Sequence, residues 1–194
     1  SAIYGAVLAI LVLLFFLRNI RSTIIISIAI PISIIATFIL IYNGGYTLNI
    51  MSFGGLVLGI GMLLDNSIVV LENTYRHISE EKLDRQNGAI IGASEVGMAI
   101  IASTLTTIAV FLPMIFISGM AKIIFKQITI VITFSLICSL LVSLTLVPVL
   151  SSKYLKFYES ADNYKNSLIR RLFSQSEKIF MKIDEHYSSL LKWS

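Results

Sequence analysis

In the stretch "GIGMLLDNSIVVLENTY", residues 59–75, Asp65, Asn66 and Glu72 stand in a run apolar enough to cross a bilayer. On a helix, Leu58, Gly61, Met62, Asp65, Ile68, Val69 and Glu72 share one broad face. If that helix begins near residue 50, Asp65 lies about 22 Å along it, deep in the hydrocarbon, and Glu72 about 10 Å further, near the headgroups. An ionised carboxylate at mid-helix costs about 2.5–3.5 kcal/mol, and protonation removes the charge. A carboxyl whose surroundings alternate can therefore take up a proton on one side and release it on the other. Asp65 is the candidate carrier. Asn66 can donate to its ionised form and accept from its protonated form. Glu72 is either a further station or an interfacial anchor.

Supporting hydroxyls come from "ASTLTT", which supplies Ser103, Thr104, Thr106 and Thr107. Ser103 and Thr107 are one turn apart and could hydrogen-bond a carboxyl, although such clusters also serve as glue between helices. Gly55 and Gly59 form a G-x-x-x-G pair for close packing, with Gly54 and Gly61 as further small positions. No Lys or Arg lies inside an apolar segment. Asp65 is thus either neutral at rest or paired with helices outside this chain. His77 and His186 lack ligand-spaced partners, so neither is assigned to a metal. With no nucleophile–base pair either, the sequence points away from an enzyme and calls for no cofactor.

The elements that must position these residues are membrane helices. Of 194 residues, 56% are hydrophobic and 13% charged, and the mean hydropathy is +0.87. Soluble domains carry about 25% charged residues. The expected class is all-α, a polytopic bundle of five transmembrane helices at 2–17, 23–42, 50–73, 97–118 and 127–151. Pro31, Pro113 and Pro148 fall inside or near the ends of three of them, where kinks are expected. Gly44 and Gly45 mark a tight turn, with Tyr42 and Tyr46 at interfacial positions. The segment "NTYRHISEEKLDRQNG" reads as a solvated loop. Cys138, the single cysteine, reads as buried or lipid-facing.

Five alternating spans place 13 of the 15 Lys and Arg residues on one side and only Lys122 and Lys126 on the other. The basic side is the cytoplasmic one. The net charge of +4 is explained this way, without nucleic acid. The domains expected are a five-helix bundle over 1–157 and an amphipathic helix over 158–194. That helix would lie on the cytoplasmic face, with Leu168, Leu172, Ile179 and Ile183 toward lipid and Arg170, Arg171, Lys178 and Lys182 toward water. The start at Ser1, without a charged leader region, suggests a piece of a longer polypeptide with no signal peptide.

"GIGMLLDNSIVVLENTYRH" resembles the fourth-helix motif of efflux pumps in the resistance–nodulation–division superfamily. "IASTLTTIAVFLPMIF" resembles their fifth helix, "KQITIVITFSLICSLLVSLTLVPVL" their sixth, and the tail their cytoplasmic surface helix. The resemblance covers nearly the whole chain, in order. It implies a proton-driven exporter of drugs or other amphiphiles in the bacterial inner membrane. It further implies second-half helices and extracytoplasmic domains in the same polypeptide, a homotrimer, and a periplasmic adaptor. Asp65 matches the carboxyl shared by proton-driven members, whereas Asn66 falls where multidrug pumps often have a second Asp. A sterol-sensing domain and the SecD/SecF-type export proteins share the helix plan and remain the alternatives.

Overall fold

A computed structural model of the protein describes residues 2–17, 19–79, 81–119 and 121–155. The amphipathic tail expected over 158–194 lies outside them. Five α-helices follow one another: α1 (Ala2–Leu17), α2 (Ile20–Asn43), α3 (Ile50–Ser79), α4 (Arg85–Phe111) and α5 (Ala121–Tyr154). The described residues contain no strand, as the all-α expectation requires. Four of the helices, α2 to α5, are long and apolar enough to cross a membrane. The first, α1, has 16 residues and matches its expected bounds. At about 24 Å it falls short of a 30 Å hydrocarbon core.

The chain divides into two compact units, one containing residues 1–23 and the other residues 24–157. In the larger unit α3 is the central element, in contact with both α4 and α5, which also touch each other. Near one end Ile41 of α2, Leu56 of α3 and Val131 of α5 form a buried cluster, flanked by Phe38, Tyr46, Ile60 and Phe134. The G-x-x-x-G pair works as expected. A Cβ added at Gly55 would lie 3.0 Å from the Ile128 carbonyl oxygen, and one at Gly59 would lie 2.6 Å from Ser135 Cβ. Gly54 and Gly61 have open space instead and take no part in this packing. Cys138 is buried, with Thr37 as a hydrogen-bond partner.

The Gly44–Gly45 turn forms, with Gly45 in the left-handed region at φ 71°. Tyr42 is exposed there, whereas Tyr46 stacks edge-on against Phe134 at 6.2 Å. Asn49 caps α3: its side-chain oxygen accepts from the backbone N–H groups of Met51 and Ser52 at 2.9 and 3.0 Å. Ser52 Oγ accepts from Asn49 N–H in return, at 2.7 Å. Asn49 also donates to Gln127 at 2.8 Å, and Gln127 donates to the Thr47 carbonyl at 3.0 Å, so α5 is tied to the entry of α3.

Two expectations need correction. The helix expected over 97–118 is not continuous, because α4 ends at Phe111 and Leu112–Phe116 tighten into a 3-10 turn with Pro113 in its first turn. Proline has no N–H to extend an α-helical ladder. The supposed loop over 73–88 is mostly helix: α3 runs on to Ser79, and α4 starts at Arg85, capped by Asp84. Its polar residues are used for contact between the two helices, as described next.

Candidate proton site and a polar helix junction

Asn66 and Thr104 are brought together. Both are buried, and Asn66 Nδ2 donates to Thr104 Oγ1 at 3.1 Å across the α3–α4 interface. This bond fixes which way α3 faces. The next residue back, Asp65, is about 100° around the helix and exposed. It shares that exposed side with Leu58, Gly61, Val69 and Glu72, much of the face expected from sequence. Glu72 stands two turns further toward the C-terminal end of α3.

Ser103 and Thr107 do not supply hydroxyls to a carboxyl. Ser103 Oγ donates to the Ile100 carbonyl at 3.0 Å, and Thr107 Oγ1 to the Ser103 carbonyl at 2.9 Å. Serine and threonine in helices satisfy themselves in this way when no better acceptor is near. Of the hydroxyl positions singled out, Thr104 alone reaches α3 by a hydrogen bond among the described residues. Among the described residues, no group of three or more His, Cys, Asp or Glu side chains is arranged so that it could hold a metal ion.

A second polar assembly was not expected. Thirty residues make α3 about 45 Å long, so with Ile50 at one hydrocarbon edge the helix overhangs the other. On this length argument residues beyond about 73 of α3, and those before about 97 of α4, stand beyond the hydrocarbon, in the interface at that end. There Glu95 Oε2 accepts from three donors on one face of α3: Asn73 Nδ2 at 2.8 Å, Arg76 Nη2 at 3.2 Å and His77 Nε2 at 2.8 Å. Asn73 Nδ2 also donates to the Gly92 carbonyl at 2.9 Å. The other ring nitrogen of the buried His77, Nδ1, lies 2.7 Å from Glu81 Oε2. Hydrogen bonding to Glu95 raises the His77 pKa above its usual range; burial opposes this, and Glu81 adds to it. The Glu95 carboxyl is held below the usual carboxylate range by His77 and then by Asn73.

Glycines make this junction possible. A Cβ on Gly92 would meet Thr74 Cα at 2.7 Å, and one on Gly88 would meet Ile78 Cγ1 at 2.6 Å. The signal was present in the sequence, since Gly88 and Gly92 form a second G-x-x-x-G pair. Reading the segment as a loop concealed it.

Comparison with known proteins places these features in a lineage. The AcrB/AcrD/AcrF family matches residues 1–194. The multidrug resistance protein MdtF of Escherichia coli K12 is 35% identical over 188 residues, which is 97% of this chain and 18% of that relative. The multidrug resistance protein MdtC of Photorhabdus laumondii is 37% identical over 186 residues, 96% of this chain and 17% of its own length. The swarming motility protein SwrC of Bacillus subtilis is 38% identical over 196 aligned residues, covering all of this chain and 18% of that protein. The chain thus spans under a fifth of the length of the curated relatives it matches.

Proposed function

The chain belongs to the AcrB/AcrD/AcrF family, and on that footing we propose that it is the membrane-embedded part of a proton-driven exporter, with Asp65 as its proton carrier. The observation that carries this reading is a mid-helix carboxyl on an exposed face of α3, beside an Asn66 anchored on Thr104. A carboxyl on that face is open to whatever packs there next, while the helix bearing it is held in register from behind.

Proton movement through such a site can deliver about 2.3 kcal/mol per 100 mV of membrane potential, plus about 1.36 kcal/mol per pH unit. Either is useful only if Asp65 opens to each side in turn. Elements outside this chain must provide that alternation, because transporters move two repeats or bundles against each other around a midplane site. Asn66 holds the α3–α4 register and cannot itself titrate. Glu72, near the interface, is a second station for the proton on its way to the cytoplasm.

Two relatives are named for multidrug resistance and one for swarming motility. Drugs or other amphiphiles are accordingly the proposed cargo. The proposed setting is the bacterial inner membrane, in a homotrimer with a periplasmic adaptor. The role is transport without covalent chemistry. Family membership favours this reading over a sterol-sensing module or a SecD/SecF-type accessory.

The test is cargo transport by the whole protein in proteoliposomes with an imposed pH gradient. Asp65→Asn is expected to abolish coupled transport with unchanged expression. Wild-type rates in that variant would remove Asp65 from the mechanism.

A further inference from the structure

We propose that the junction of Asn73, Arg76, His77, Glu81 and Glu95 is a cytoplasmic pH-responsive latch, closed when His77 carries two protons and released when it loses one.

The geometry requires the doubly protonated ring. A neutral imidazole has one N–H donor and one lone-pair acceptor. His77 has a carboxylate oxygen at 2.7 Å from Nδ1 and another at 2.8 Å from Nε2. Ionised carboxylates only accept, so both ring nitrogens must donate. Charge counting agrees. Arg76 and protonated His77 balance Glu81 and Glu95, whereas a neutral ring leaves one buried nitrogen lone pair against a carboxylate and the group one negative charge in excess.

The charged groups around His77 come from each neighbouring element. Glu95 comes from α4, Glu81 from the segment after α3, and Arg76 from α3 itself, where it pairs with Glu95 at 3.2 Å. Glu72 stands on the exposed side of α3. Lys82 and Asp84 are exposed in the connection and Arg85 is half-buried at the start of α4. At the same end of α5, Lys153 and Tyr154 are exposed.

The latch joins the two helices where glycines bring them close together. Glu95 lies one turn beyond Gly92, whose backbone abuts Thr74, and its three donors span Asn73 to His77. Loss of a ring proton leaves one of the two ring nitrogens as a lone pair against a carboxylate and removes the positive charge that holds Glu95 to α3, so α4 loosens from its first turns onward.

The sign of the pH dependence follows from the folded state holding the His77 proton more tightly than the unfolded chain does. The stabilisation is complete below about 6.5, the usual histidine value, and is lost as pH rises through the higher folded value. For Glu95, held low, the contribution is present above its usual value of 4.5 and is lost as pH falls through the lowered one. The latch is therefore closed below the usual histidine value and opens as pH rises through the higher folded value. This inference does not depend on Asp65 being a proton carrier.

The experiment uses the full-length protein in lipid nanodiscs. With His186→Gln as background, nitrogen NMR of His77 reports ring protonation, and amide hydrogen exchange reports the opening of residues 85–95. Both are followed across neutral and alkaline pH, with exchange corrected for its intrinsic rate. Both ring nitrogens should remain protonated beyond the range of free histidine. Opening should increase about tenfold per pH unit between the usual and the folded values, the slope of one linked proton. Glu95→Gln should move both curves to lower pH, and Glu81→Gln should do so more weakly. A His77 that titrates like free histidine would overturn the proposal. So would a ring titration that leaves exchange of residues 85–95 unchanged, because His77 would then be packing and not a latch.

Discussion

Replacing Gly92 by alanine tests the close approach of α3 and α4. The added methyl would sit 2.7 Å from Thr74 Cα and 2.8 Å from Thr74 N, both backbone atoms that no rotamer change can remove. Carbon atoms rest at about 3.5–4.0 Å, so the helices must separate by roughly 1 Å. Overpacking of this kind costs about 1–3 kcal/mol. Alanine recovers about 0.8–1.0 kcal/mol of helix propensity over glycine. The net expected loss is about 0–2 kcal/mol, toward the upper end because the obstruction is main chain. At Gly61, with nothing within 4 Å, the propensity gain stands alone and the variant should be neutral or slightly stabilised. The same displacement would stretch the 2.8 Å His77–Glu95 contact beyond hydrogen-bonding range. Reversible unfolding of this chain in detergent, with Gly92→Ala and Gly61→Ala side by side, measures the difference. Equal stability of the two variants would refute the reasoning.

Thr104→Val removes the acceptor for buried Asn66 and should cost about 0.6–1.7 kcal/mol in the same unfolding assay, the range for polar contacts between membrane helices. Ser103→Ala and Thr107→Val should change stability by under about 0.5 kcal/mol, since their hydroxyls bond their own helix. In transport by the whole protein, Asn66→Leu should impair the rate more than Asn66→Asp, because only the polar replacement can still bond Thr104; equal rates would make Asn66 a bystander. Asn49→Ala deletes the cap of α3 and its tie to Gln127, with an expected loss of about 1 kcal/mol and faster amide exchange at residues 50–53.

The membrane helices were legible because their signal is compositional: long apolar runs survive any tertiary arrangement. The Gly55–Gly59 contact was legible for a similar reason, as small residues at helical spacing within such a run have one common use. That Asp65 shares a face with Leu58, Gly61, Val69 and Glu72 followed from periodicity alone, whereas the exposure of that face did not. The polar end of the α3–α4 hairpin was not legible. Asn73, Arg76 and His77 have the composition of a loop, and their common partner is a carboxylate that arrives from α4, 18 residues beyond His77. Window hydropathy cannot register a partner at that distance. The roles of Ser103, Thr104 and Thr107 likewise depended on helix rotation. Each carries a hydroxyl, but Thr104 alone is turned toward Asn66.

Glycine contacts bind α3 to its neighbours at both ends, Gly55 and Gly59 against α5 and Thr74 against Gly92 of α4. Asn66 pins the middle. A rod fastened at three heights on its inner side cannot spin about its axis or slide by a turn without breaking all three fastenings together. Under the proposed role of Asp65 as proton carrier, α3 would therefore serve as a stator, with Asp65 fixed and any change in its surroundings made by bodies moving across its open side.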